Sequence, residues 1–294
     1  MKAKSVLCIV PLLLMLCGFL PRPVLAAPVA ADAADLGNFP MAFAFADESG
    51  SRLLIHSSAD HDPMAGSDPA QYTLAIGPYG KTARISFAGK QNESEANNNR
   101  QTSFNFDNLP GYVYNAKGGS LRPNETYCLT REGGLEKALI SMIPPFPLPD
   151  KPDAYYPQNP ELDDKTVLRI EALRGRKVKQ TEKLATAFGG AQIGLVLFER
   201  LGDDMLFSIV YIEGTRRMLF WDCPAVYDEI STWRVDMGDE PGSFQIIFLA
   251  QLGDRLAMLL EWGAPEGASI LLLHEDNGGF KQAESTYSRY WAPD

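Results

Sequence analysis

Residues 192–274 most constrain what this chain can become. They hold six strand-length apolar runs, at 192–199, 205–212, 218–221, 244–251, 255–262 and 269–274. Each is rich in β-branched, aromatic or other apolar residues, and turn residues bound most of them. Leu201-Gly-Asp-Asp204, Glu213-Gly-Thr215 and Leu252-Gly-Asp254 each join two runs across a few residues. Glycine accepts positive φ without a Cβ clash and Asp bonds its own backbone, so these read as hairpin turns. Connections this short make the neighbouring strands antiparallel.

Alternation assigns the faces. In 244–251, Phe244, Ile246, Phe248 and Ala250 point one way and Gln245, Ile247, Leu249 and Gln251 the other. In 255–262, Leu256, Met258, Leu260 and Trp262 share a face opposite Arg255, Ala257, Leu259 and Glu261. One side is apolar and the other mixed, which predicts a sheet with one dry face. Residues 193–198 are apolar on both sides apart from Gly194, as expected of a central strand. The same logic predicts hairpins over 41–56 and 72–87, strands at 102–106, 112–114, 126–130 and 167–170, and a terminal hairpin over 280–291. Residues 135–142 and 181–188 fit either a short helix or a strand. The expected class is mainly β: antiparallel hairpin-built sheets, sandwich-like or propeller-like, with few short helices.

The ends and the middle differ in character. Lys2 and Lys4, an apolar stretch over 6–20 and Val24-Leu-Ala26 make residues 1–26 a signal peptide, so the chain is exported, periplasmic or secreted. Cys17 follows the bulky Leu16 where a lipid-attachment site would have a small residue. Seven prolines crowd 144–160, forbidding helix and central strand there. Phe146, Tyr155 and Tyr156 favour an arm docked on the surface over a free linker. The expected organisation is therefore a β-rich half over 27–143, a proline-rich connector over 144–160 and a β-rich half over 161–294, the two halves packed as one unit.

Charge restricts partners. Lys2, Lys4 and Arg22 leave with the leader, so 24 of the 27 Lys and Arg remain against all 37 acids, a net charge of −13. Such a surface repels nucleic acid and anionic membrane and attracts a basic protein partner. No apolar segment is left to make an integral membrane span.

Few residues invite chemistry. Cys128 and Cys223 remain after the leader, and an oxidising compartment predicts a Cys128–Cys223 disulfide. His56, Asp60, His61 and Asp62 form the one cluster with plausible metal ligands, although their spacing fits no helical zinc motif. Tyr287, Tyr290 and Trp291 read either as core aromatics or as a binding platform. Nucleophile elbows, phosphate loops and other cofactor signatures are missing, so no catalytic residue and no cofactor is implied. Three readings follow. The first is an exported, acidic, non-catalytic binding protein, such as an inhibitor or immunity-type protein of a basic envelope enzyme. The second is a hydrolase with carboxylate or metal chemistry in its loops. The third is a structural or assembly module of the envelope.

Overall fold

The computed structural model describes residues 39–58, 61–118, 121–148, 158–283 and 287–291. Residues 1–38, which include the expected leader, Asp60 and most of the proline-rich connector lie outside them. The protein is mainly β, built from antiparallel sheets.

Six strands close a barrel in the order β1 (Ala42–Ala46), β2 (Arg52–His56), β5 (Gly111–Lys117), β4 (Thr82–Gln91), β3 (Leu74–Ile76), β6 (Thr126–Thr130). The hairpins expected over 41–56 and 72–87 are present as β1–β2 and β3–β4. Residues 102–106 do not form a strand. The chain there makes a 3-10 turn, Ser103–Asn108, that buries Phe106 against Phe45.

Two five-stranded sheets follow. The outer sheet runs β11 (Arg217–Val226), β10 (Asp204–Glu213), β9 (Gln192–Phe198), β8 (Val178–Ala187), β7 (Met142–Ile143). The middle sheet runs β12 (Ser243–Leu252), β13 (Arg255–Ala264), β14 (Gly267–Asp276), with β15 (Gly279–Gln282) and β16 (Tyr287–Tyr290) both paired to β14. The terminal strands therefore do not form the expected hairpin with each other. Gly202, Gly214 and Gly253, in the three turns read from the sequence, all have positive φ.

The middle sheet is dry on both faces, not one. Ile246, Leu249, Met258, Leu260, Leu271 and Leu273 pack against Ile193, Leu195, Leu197, Phe207 and Ile209 of the outer sheet. Ile247, Phe248, Ala250, Ala257, Leu259 and Leu272 pack against Leu74, Ile76 and Cys128 of the barrel. The strict alternation read for 244–251 fails at one point. A bulge at Ile247 inserts an extra residue between the pairs Ile246–Leu260 and Phe248–Leu259. The phase flips there, so Ile246 and Leu249 share one face and Phe248 and Ala250 the other.

The outer sheet is also covered twice, and β9 is its central strand. Residues 167–170, read as strand, belong instead to helix α1 (Asp164–Arg174). Asp163 caps it by accepting from the Thr166 N–H, and Gly175 stops it in the left-handed conformation. Its Ile170 packs with Val196, Phe198, Val210 and Ile212. Over 135–142 the chain makes a one-turn 3-10 helix, Leu135–Lys137, and enters β7 at Met142, and 181–188 is strand up to Ala187. Among the described residues no helix is long and apolar enough to cross a membrane.

Cys128 and Cys223 are free thiols. Cys128 is buried between barrel and middle sheet, whereas Cys223 packs at the core between the middle and outer sheets. A packed sheet separates them, which corrects the expected disulfide.

Candidate functional site

The edge of β12 is only partly covered. Ile140 N–H donates to Leu249 O at 2.7 Å, and Gln251 N–H to Ala138 O at 2.7 Å, so the segment 138–140 adds a short strand-like cover. Among the described residues the other end of β12, at Ser243 to Gln245, has no such cover. There a cleft of about 580 Å³ opens, lined by the barrel, both sheets and the described ends of the proline-rich connector.

One wall comes from the barrel and the middle sheet. Glu125 directly precedes β6, and its side chain is 12 % exposed. Its carboxylate pairs with Arg122 at 3.1 Å. Glu261 lies on β13 directly across from Gln245 of β12, and Thr126 donates its hydroxyl to the Glu261 carboxylate. Gln245 also hydrogen-bonds Glu125. Thus Gln245, which bonds Glu125, sits beside Glu261 in the sheet, and the two carboxyl groups act on each other. Burial, reinforced by the Glu261 charge, pushes the Glu125 carboxyl up to about 7, while Arg122, Arg289 and Gln245 oppose the rise.

Arg289, 3 % exposed, locks this wall together. It donates to Asn124 O at 2.7 Å, Asn124 Oδ1 at 2.9 Å, Thr126 Oγ1 at 3.0 Å and Gln101 O at 2.8 Å. Its guanidinium carbon lies 4.7 Å from the Phe45 ring centroid and 5.2 Å from that of Trp291. Burial lowers its pKa, and Glu261, Tyr287 and Glu125 pull it back up.

The opposite wall belongs to the outer sheet. Glu182 on β8 is paired with Leu195, which places it on the face turned toward the middle sheet. Burial raises its pKa, the nearby Glu240 adds to the rise and a hydrogen bond to Asn159 opposes it. Glu161, Phe146, Leu148 and Phe244 complete the lining that matters here. Phe244 is held by stacking on Trp262, centroids 5.5 Å apart and planes at 18°. Four glutamates thus face one arginine among the described lining residues, and that arginine already serves the backbone. What the cleft offers a ligand is desolvated negative charge beside aromatic surface, the chemistry that holds an organic cation.

The residues singled out from the sequence fare unevenly. Trp291 lines the cleft. Tyr287 belongs to the core: it stacks on Phe43 at 5.3 Å, donates to Gln101 Oε1 at 3.2 Å, and burial pushes its pKa up to about 12. Tyr290 is 49 % exposed on the other face of β16. Of the histidine cluster, His56, His61 and Asp62 are described, and the charge of His61 acts on His56. His56 Nδ1 meets Gln101 Nε2 at 3.4 Å, and burial lowers its pKa. Asp62 accepts from Tyr112 OH at 2.8 Å and from Met64 N–H at 2.9 Å. Among the described residues no three metal-ligating side chains come together, and Asp60 lies outside them. Glu125, Glu182, Glu261 and Arg289 are the residues that sequence reasoning passed over. One signal was available for Glu261, a carboxylate sharing a strand face with Ala257 and Leu259. No family model, no characterised protein and no solved structure matches this chain.

Proposed function

We propose that this is an exported binding protein whose cleft receives the positively charged group of a small organic ligand. One observation carries the reading: carboxylates from both walls converge on a concave, aromatic-lined space whose arginine is occupied elsewhere. Burying a carboxylate costs free energy unless a partner compensates it, and a bound ammonium is such a partner. A cleft of about 580 Å³ falls in the range typical of small-molecule sites. A basic side chain on a protein offers the same chemistry, so the inhibitor-type reading becomes the competing source of the cation.

Calorimetric titration with butylamine, butanol and butyrate at pH 8 tests this. Only the amine is expected to bind, with affinity falling as salt rises and on Glu261→Gln. Equal binding of the alcohol, or binding of butyrate alone, refutes it. If a basic protein binds through Glu261 and the amine does not, the ligand is a protein.

A second reading rests on its own observation. Glu125, pushed up to about 7 beside Glu261, resembles the acid-and-base carboxyl pairs of glycoside hydrolysis. It requires glycoside turnover that Glu125→Gln and Glu261→Gln each abolish. The ion pair of Glu125 with Arg122 opposes the proton that a general acid must hold, which favours binding over turnover.

A further inference from the structure

The cleft carries its negative charge in two places, not one. Glu125 and Glu261 lie on the barrel side of the middle sheet, where their charges act on each other and Gln245 bonds Glu125. Glu182 reaches the cleft from the outer sheet, beyond the opposite face of β12. The groups that act on the two centres form separate sets: Arg122, Glu261, Arg289 and Gln245 on Glu125, but Asn159 and Glu240 on Glu182. Packed sheets lie about 10 Å apart, which sets the scale of the separation. Among the described residues one cavity takes in both centres around the Ser243 end of β12, and Phe146, Leu148 and Phe244 give it apolar surface suited to methylene groups.

We infer that the ligand is an aliphatic di- or polyamine that wraps the β12 edge, one ammonium meeting Glu125 and Glu261 and the other meeting Glu182. This rests on the cation-binding reading above and deepens it. A single ammonium can meet only one centre and brings no added cation to the other. A chain with two positive ends satisfies both, while its methylenes cover the apolar lining. The second ammonium then binds as an intramolecular event at high effective concentration.

The test compares spermidine with butylamine by calorimetry on the whole protein at pH 8. Spermidine is expected to bind at least tenfold more tightly at physiological salt. Glu182→Gln, which keeps the side-chain shape, should collapse that preference to within about twofold; circular dichroism and a thermal melt establish that the variant is folded. If the two amines bind wild type equally, the two-centre inference is wrong and the cation reading stands. A preference that survives Glu182→Gln also overturns the assignment of the second centre. Should neither amine bind, the cation reading itself falls. The wild-type comparison decides the matter even if Glu182→Gln does not fold.

Discussion

Replacing Glu125 by Gln should change how stability depends on pH, and the size of the change follows from the site. In the unfolded chain the carboxyl titrates at its ordinary value of 4.5, and in the folded protein at about 7. Between these values the native state keeps a proton that the unfolded state has released. Stability therefore falls as pH rises through this interval, because a native carboxyl with a raised pKa favours folding less at higher pH. Each pH unit corresponds to about 1.4 kcal/mol, so the interval amounts to about 3 kcal/mol. Gln has the shape of the protonated acid and does not titrate, so the variant lacks this decline.

Urea unfolding of wild type and Glu125→Gln at half-unit steps from pH 4 to pH 8.5 measures the effect. The two stabilities should differ by a roughly constant amount below pH 4.5. Above it the variant should gain steadily on wild type, by about 3 kcal/mol at pH 8. Burial lowers the pKa of His56, so its contribution runs the other way in an overlapping range. Glu182, also raised, runs with Glu125. Both are present in each protein and cancel in the difference. Loss of the Arg122 partner shifts the whole difference curve without giving it the same slope. A difference that stays flat within about 0.5 kcal/mol across the range would show that Glu125 titrates normally, and the electrostatic account of the cleft would fall with it.

Other perturbations probe separate parts of the argument. Arg289→Met should cost about 3–5 kcal/mol in denaturant unfolding, because it strips four hydrogen bonds and removes a buried cation that acts on Glu261; a loss below about 1 kcal/mol would mean that the guanidinium does not lock the wall. Gly50→Ala should cost at least about 2 kcal/mol, since Gly50 has φ of 66° and a Cβ there would sit 2.2 Å from Leu121 O; an unchanged melting temperature would contradict the geometry of the β1–β2 turn. Asp163→Ala should cost about 1 kcal/mol by removing the α1 cap, read as a lower urea midpoint with unchanged slope. After oxidative purification, alkylation in denaturant followed by peptide mass analysis should find the label on both Cys128 and Cys223. Recovery of a linked peptide would disprove the separation of the two thiols.

The sequence by itself determined the antiparallel β class, the hairpin turns and most strand positions between 192 and 274. Those follow from local rules: the period of apolar residues, the length of the runs and the backbone freedom of Gly202, Gly214 and Gly253. It misread 167–170, where four apolar and basic residues suit a strand, because the signals that make a helix, the Asp163 cap and the Gly175 stop, lie outside the run. It misread the phase of β12, because a bulge at Ile247 depends on how β13 pairs with it. Only the tertiary structure decided that the middle sheet is covered on both faces, that Cys128 and Cys223 lie on opposite sides of it, and that Glu125, Glu182, Glu261 and Arg289 line one cleft. These four are separated by as many as 164 positions in the chain, and in one dimension each reads as an ordinary surface charge. Their chemistry arises from lost solvent and mutual proximity, and both belong to the packed molecule, not to any stretch of its sequence.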